Sequence, residues 1–407
     1  METRAIAAEY NPFHYGHQWQ LEQIRTDLGQ DTCIIAIMSG DHVQRGGPAV
    51  LGKYRRTALA LAQGVDLVLE LPAIFATQSA QYFADGVLRT LEATGICRDQ
   101  VAGAGFPGSP WYERIPPVLI EEPPLYREAL QGALADGKSF AAARAEGLVA
   151  VLGPEVLPFL TSSNDNLNLA YRVAALRYSP QTRFHPLPRV DGSATTVRER
   201  LAALTDRSRP SAILRATAGL VPTGVAAELA EAAAAGELVL EQDAFAPIAM
   251  LLRGRSEAEL AQHPGMDEGL AALLKKLVAA SGPASESWDG LLAAATSKRY
   301  PTSRVRRALF SALLGITQAD LDAASEVGPQ YLRVLGFSKR GRYALRLMRK
   351  LAKLPIITRE SDVLEYSGLQ TPHLRRQAAL DAASTDIRSY LAGGGGGTAF
   401  AETVIMR

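Results

Sequence analysis

Strand-like and helix-like segments alternate along the first half of this 407-residue chain, and this alternation restricts its fold more than any other feature. Short apolar or β-rich runs occur at residues 4–9, 32–38, 65–71 and 100–103, with helical patterns between them. Such a pattern is typical of βαβ units, in which helices cover both faces of a parallel sheet. We therefore predict an α/β fold with a parallel sheet for residues 1–205.

The pattern changes twice along the rest of the chain. Alanine and leucine dominate residues 206–325, and their spacing predicts a helical domain, because alanine has the best helix propensity and carries no chemistry. A cationic helical segment at 342–353 and a strand-like run at 354–358 follow. We therefore predict three domains, covering residues 1–205, 206–325 and 326–407, the last a small α/β region that is strongly basic.

Charge and cysteine content exclude several classes of protein. Lysine and arginine (43) nearly balance aspartate and glutamate (42), but residues 298–353 hold thirteen basic and three acidic side chains, a net charge of +10 against −9 for the remainder. A solvated helical face is the usual explanation of a charge run, and contact with a phosphate backbone is the alternative. Cys33 and Cys97 both lie in apolar surroundings, which argues against a disulfide framework and a cysteine metal site. With no long apolar run, we expect a cytoplasmic protein without membrane spans.

Two histidines follow the first predicted strand, in the segment His14-Tyr15-Gly16-His17 that opens a helical pattern. In open α/β sheets ligands bind at the carboxyl ends of the strands. Two imidazoles, a glycine that permits close approach and a helix N-terminus together suit the oxygens of a triphosphate. The alternative is that the histidines only cap the helix or pack in its interface. Pro12 stiffens the preceding turn, and Asn11 adds a side-chain donor.

The residues around this segment carry a family resemblance. Residues 9–17, with the sequence Glu-Tyr-Asn-Pro-Phe-His-Tyr-Gly-His, closely resemble the opening of the tRNA(Met) cytidine acetate ligases, which belong to the nucleotidyltransferases with a HIGH-type signature. The resemblance continues in the family's order through further blocks at 36–49, 64–72, 78–80, 193–198, 268–270, 298–300 and 354–358. It therefore covers nearly the whole chain.

The resemblance implies a Rossmann-like parallel-sheet nucleotidyltransferase domain, followed by a helical region and a small C-terminal α/β region. Proteins of this family activate acetate with ATP as acetyl-adenylate and transfer the acetyl group to N4 of the wobble cytidine of elongator tRNA(Met). It follows that ATP would be a substrate, with Mg²⁺ on the nucleotide, and that the anticodon loop of this tRNA would be the partner. The oligomeric state stays open.

The resemblance also assigns site residues. His14 and His17 would be catalytic, and no metal site is implied. The ATP-binding residues would be Ala7, Ala8, Glu9, Tyr10, Asn11, Pro12, Phe13, His14, Gly16, His17, Gly103, Asn164 and Arg198. The basic segment would bind tRNA through Arg304, Arg306, Arg307, Lys339 and Arg340.

Two blocks depart from the family pattern. Where the family has Phe-Gly-Ser-Glu after its fourth strand, this chain has Ala-Gly-Ala-Gly-Phe, which makes Gly103 the expected glycine beside the nucleotide and Gly105 the other choice. Where the family has two consecutive asparagines, Asn164 matches the first and Asp165 replaces the second. These changes would alter nucleotide affinity or the choice of acyl group.

Other charged residues have two explanations each. The guanidinium fork of Arg198 suits phosphate oxygens, whereas an ion pair with Glu199 or Asp191 is the structural alternative. Arg45 would hold pyrophosphate or RNA, assisted by Lys53 or Arg56; a solvated loop with a cationic rim explains these residues equally well.

We also predict that the acids flanking the third strand, Asp66 and Glu70, are structural. Two other functions are compatible with these features. One is an adenylyltransferase acting on a small metabolite, and the other is a catalytically silent RNA-binding homologue.

Overall fold

A computed structural model of the chain describes residues 2–190, 192–359, 362, 372–397 and 403–407. Within these residues eight strands form one sheet, with β1 at Thr3–Ala8, β2 at Cys33–Ser39, β3 at Leu67–Leu71, β4 at Asp99–Ala104, β5 at Arg183–Pro188, β6 at Leu332–Phe337, β7 at Ile356–Ile357 and β8 at Ile405–Met406. The strand order is β5-β4-β1-β2-β3-β6-β7, and β8 pairs with β6. The pairs from β5 to β3 are parallel, whereas β6 runs antiparallel to β3. The predicted α/β fold with a mostly parallel sheet is confirmed.

Helices fill the intervals between the strands and make up the middle of the chain. The first ten are α1 Tyr15–Leu28, α2 Lys53–Ala62, α3 Ala73–Ala76, α4 Ala80–Ala93, α5 Trp111–Glu121, α6 Pro124–Ala135, α7 Phe140–Leu152, α8 Leu157–Leu160, α9 Ser163–Tyr178 and α10 Ala194–Ala202. The others are α11 Pro210–Thr217, α12 Thr223–Ala234, α13 Phe245–Gly254, α14 Glu257–Leu260, α15 Leu270–Ala279, α16 Pro283–Glu286, α17 Trp288–Ala295, α18 Thr302–Leu313, α19 Gln318–Val327, α20 Lys339–Leu351 and α21 Pro372–Leu391. None of the helices in the described ranges is long and apolar enough to cross a bilayer.

The strand order places a crevice between β1 and β4. The chain runs from β1 outward through β2 to β3 and then returns to β4 on the other side of β1, so the direction of winding reverses there. Helices leaving β1 and β4 at their carboxyl ends therefore diverge to opposite faces of the sheet. A ligand site is expected at this edge, which is where α1 begins.

Two apolar cores cover the two faces of the sheet. One contains Leu21 and Ile24 of α1 with Val197 of α10, and the other contains Phe83 of α4 with Tyr171 of α9. A third core holds the helices between residues 244 and 312 together. The strands β6 to β8 of the last segment belong to the same sheet as β1 to β5. The division into three domains stays a prediction.

Candidate functional site

A cavity of 460 Å³ opens at the carboxyl ends of β1 and β4. It is lined by ten of the residues that the resemblance assigns to ATP, namely Ala7, Ala8, Glu9, Tyr10, Asn11, His14, Gly16, His17, Gly103 and Asn164. Pro12, Phe13 and Arg198 are absent from the lining. The Phe13 ring is buried and packs against Tyr10 and His17, with ring centroids 5.0 and 5.3 Å apart. The geometry therefore brings most of the predicted site together and gives Phe13 a supporting position.

The two histidines cap α1 and line the cavity at the same time. His14 Nδ1 accepts a hydrogen bond from the Gly16 amide at 3.1 Å, and His17 Nδ1 accepts one from the His14 amide at 3.2 Å. The imidazole rings stack with centroids 3.7 Å apart. Because each Nδ1 is an acceptor, the neutral ring carries its proton on Nε2 and can donate it to a ligand. Capping and ligand binding therefore use different nitrogens of the same rings.

Burial keeps both histidines neutral. It lowers the pKa of His14 to about 4, and the positive charges of Arg189 and Arg198 act in the same direction. Burial and the neighbouring His14 also hold the pKa of His17 well below its usual range. The pair therefore consists of two neutral N–H donors at physiological pH, suited to oxygens that carry negative charge.

Two glycines leave room for the His14 ring. A Cβ atom at Gly16 would lie 2.9 Å from His14 Cε1, and one at Gly192 would lie 2.9 Å from His14 Nδ1. Gly192 was not among the predicted site residues, and it lines the cavity two residues before α10 begins. Its position directly before the block at residues 193–198 was the available signal.

Asp165 supports the loop after β4 and does not face the ligand cavity. The side chain is fully buried, accepts hydrogen bonds from the amides of Gly105 and Phe106 at 3.1 to 3.3 Å, and accepts another from the Tyr112 hydroxyl. A Cβ atom at Gly105 would lie 2.5 Å from an Asp165 oxygen, whereas one at Gly103 would meet open space. Of the two glycines considered, Gly103 therefore has the geometry expected beside a nucleotide.

Arg198 fixes the loop that precedes the histidines. It donates to the Asn11 carbonyl at 2.6 Å and to Thr195 Oγ1 at 3.1 Å. The Asn11 side chain in turn accepts from the Val50 amide at 2.8 Å. The alternative for Arg198 was an ion pair with Glu199 or Asp191, and Asp191 lies outside the described residues. Arg198 acts here through the backbone of the site, and its contact with a nucleotide stays a prediction.

Two arginines line the cavity, and only one of them was predicted. Arg45 lies in the loop after β2, as expected. Arg189, at the carboxyl end of β5, was missed, although a basic residue directly after a strand was a usable signal.

The suggested assistance from Lys53 and Arg56 is wrong. Lys53 is buried in an ion pair with Glu70 at 3.0 Å. Arg56 donates to backbone carbonyls, including those of Glu9 at 2.7 Å and Ser39 at 3.0 Å. Burial requires these charges to be satisfied within the protein, so neither side chain is available to a ligand. Glu70 is structural, as predicted.

The arginines of α18 lie beside the loop that carries Arg45. The Cβ position of Gly46 is 3.1 Å from Arg307 Cα, and Arg306 pairs with Glu241 at 3.3 Å. Arg304 forms ion pairs with Asp267 at 2.6 Å and Glu268 at 2.8 Å. Arg304 and Arg307 line a second cavity of 260 Å³ together with Gln78, Ser79, Tyr82, Pro264, Gly265, Asp267, Gln318 and Leu321.

Lys339 and Arg340 lie at the opposite edge of the sheet. They open α20, directly after the end of β6, and the preceding Ser338 donates to Asp66 at 2.8 Å. Arg340 pairs with Asp66 at 3.6 Å. Because Asp66 precedes β3, these two cations mark the amino ends of the parallel strands. The five residues predicted to contact tRNA therefore lie on two separate surfaces of the molecule.

Comparison with known proteins agrees with this geometry. A family model described as HIGH Nucleotidyl Transferase matches residues 1–393. A protein named tRNA(Met) cytidine acetate ligase from Thermotoga maritima is 33% identical, with 94% of this chain and 92% of the relative aligned. The protein of the same name from Fervidobacterium nodosum is 33% identical over 89% of this chain and 84% of the relative.

A solved structure shows the same fold. The crystal structure of Thermotoga maritima TmcAL bound with alpha-thio ATP superposes with a TM-score of 0.91 at 32% identity, covering 100% of this chain and 99% of that one. Sequence and fold therefore agree over nearly the full length, and the chain belongs to the tRNA(Met) cytidine acetate ligase family of the HIGH nucleotidyl transferases.

Proposed function

We propose that this protein activates acetate with ATP and transfers the acetyl group to N4 of the wobble cytidine of elongator tRNA(Met). The observation that carries the proposal is the pair of neutral histidines, whose Nε2 donors remain for a ligand at the N-terminus of α1. The relatives that share this fold are named for this activity, and one of them was crystallised with an ATP analogue.

In the first step, one acetate oxygen forms a bond to the α-phosphorus of ATP, and the bond to the bridging oxygen of the β-phosphate breaks. Pyrophosphate leaves with that electron pair. The histidine Nε2 donors, the α1 amides, Arg45 and Arg189 would stabilise the charge on the phosphates. This step needs positioning and electrostatics, and no covalent enzyme intermediate.

Mg²⁺ would accompany the triphosphate. Within the described ranges, no cluster of three or more His, Cys, Asp or Glu side chains is arranged to hold a metal ion. This fits an ion that phosphate oxygens and water hold, as is usual for Mg²⁺ with nucleotides. When bound, it would neutralise charge on the leaving pyrophosphate.

In the second step, the cytidine N4 attacks the acetyl carbonyl and AMP leaves. A wobble base lies in a loop, so it can enter the cavity without the opening of a duplex. Arg304, Arg306 and Arg307 on one surface, and Lys339 and Arg340 on the other, would hold the tRNA backbone. Such a reaction belongs in the cytoplasm, where tRNA is available.

Exchange of radiolabelled pyrophosphate into ATP tests the first step. We expect exchange that depends on acetate, followed by N4-acetylcytidine in tRNA when the purified protein receives ATP, acetate and elongator tRNA(Met). Mass spectrometry of the digested tRNA detects the product. Exchange that requires a different acceptor would favour the adenylyltransferase, and tRNA binding without any exchange would favour the silent homologue.

A further inference from the structure

The cavity has an apolar wall that the ATP assignment does not use. Ala80 and Phe83 of α4 and Leu167 and Tyr171 of α9 line it. Phe83 and Tyr171 also belong to the core on the face of the sheet opposite α1, and each is only 3% exposed. The histidines and this wall therefore face the same cavity from helices on opposite sides of the sheet.

One polar group on this wall has no partner. The hydroxyl of Tyr171 makes no hydrogen bond with any described residue, although the side chain is more than nine-tenths buried. Burial and the nearby Glu9 raise the pKa of Tyr171, so the hydroxyl keeps its proton. Glu9 is itself occupied, because its carboxylate accepts from the Gln44 amide at 2.9 Å. The wall thus presents aromatic and methyl surface with one hydrogen-bond donor, beside the loop of Arg45.

This chemistry matches a short carboxylate better than a nucleotide. Acetate has one methyl group, which gains from contact with apolar surface, and two oxygens, which need donors or a positive charge. A carboxylate that attacks the α-phosphorus also has to approach in line with the leaving pyrophosphate, so it needs a position separate from the triphosphate donors.

We propose that Ala80, Phe83 and Tyr171 form the acyl subsite, an inference that rests on the function proposed above. Ala80 and Phe83 contact the methyl group, and the Phe83 ring limits the length of the acyl chain. The Tyr171 hydroxyl donates to the carboxylate oxygen that does not attack phosphorus, which becomes the carbonyl oxygen of the acyl-adenylate. Tyr171 keeps its proton throughout.

Substitution of Phe83 tests the steric part of this proposal. The Phe83→Leu variant should raise the ratio of kcat/KM for propionate to that for acetate by about tenfold or more, since one methylene in an apolar pocket carries that much discrimination. The KM for ATP should stay close to the wild-type value. The matched control is Phe75→Leu, because Phe75 lies in the same core without lining the cavity. The assay is pyrophosphate exchange with acetate, propionate or butyrate.

Two more variants cover the remaining outcomes. Ala80→Val should raise the KM for acetate without removing a core side chain, which keeps the proposal testable if Phe83→Leu fails to fold. Tyr171→Phe should raise the KM for acetate about tenfold and leave the propionate-to-acetate ratio unchanged, since a lost hydrogen bond to a charged group has that magnitude.

The outcomes separate the subsite from the function. Folded variants whose acetate KM and acyl preference match the wild type would overturn the acyl subsite. A wild-type protein without acetate-dependent exchange would instead contradict the proposed function.

Discussion

His14 and His17 each use one ring nitrogen for the helix and keep the other for the cavity. The His14→Ala and His17→Ala variants should each reduce acetate-dependent pyrophosphate exchange by about a hundredfold or more, the loss typical of a donor to developing charge. His263→Ala is the matched control, because the His263 ring bonds to the Ile316 carbonyl at 2.7 Å and does not line the cavity. Histidine variants with rates close to the wild type would remove both residues from the mechanism.

The neutral state of His14 also predicts the pH dependence of the first step. Its pKa is lowered from 6.5 to about 4, so acidification from pH 8 to pH 6 should leave its charge unchanged. Exchange rates, measured where the protein stays folded, should therefore show no inflection near pH 6.5.

The same shift predicts an effect on stability. His14 binds a proton at higher pH in the unfolded chain than in the folded protein. Its contribution to the free energy of unfolding is therefore complete above about pH 6.5 and is lost as the pH falls toward 4. A loss of pyrophosphate exchange centred near pH 6.5 in the folded protein would contradict the assignment of His14 as neutral.

At the level of elements, α18 carries arginines in different environments. Arg304 and Arg306 of α18 are engaged in ion pairs, whereas Arg307 makes no ion pair with the described residues. Arg307→Gln should weaken tRNA binding and reduce the slope of log affinity against log salt by about 1, the value for one phosphate contact. Filter-binding titrations at several salt concentrations measure both quantities.

The Arg307→Gln variant should keep acetate-dependent exchange, which separates RNA binding from adenylate formation. A Lys339→Gln/Arg340→Gln variant tests the second surface in the same titration. An unchanged salt slope in either variant would remove that surface from the RNA interface.

The sequence predicted β1 to β4 closely because each is a short apolar run between helical patterns. It did not predict that β6 continues the sheet antiparallel to β3, a pairing in which Arg333 and Glu70 form a buried ion pair at 3.3 Å. Glu70 was predicted to be structural, but its partner Arg333 lies more than 260 residues away in the sequence. Lys53 was misassigned because a local pattern does not show which charge a fold will bury.

At the scale of the whole molecule, α21 joins segments that are far apart in sequence. Ser384 bonds to His42 at 2.9 Å, and Asp381 accepts from the Ala73 amide at 2.6 Å and from the Tyr331 hydroxyl. His42 lies in the loop that carries Arg45, and Ala73 is the first residue of α3. The last long helix therefore supports the rim of the cavity without lining it.

Arg388 provides the strongest test of this support. It donates to the carbonyls of Ala49, Val50 and Glu237 at 2.8 to 2.9 Å, and so joins α21 both to the loop after β2 and to the segment after α12. Arg388→Met should lower the free energy of unfolding by about 3 kcal/mol, because it leaves buried carbonyls without donors. The control is Arg375→Met on the exposed face of the same helix. Urea unfolding measures both variants, and we expect the Arg388 variant also to raise the KM for ATP through movement of Arg45. Equal stability of the two variants would show that α21 does not hold this loop in place.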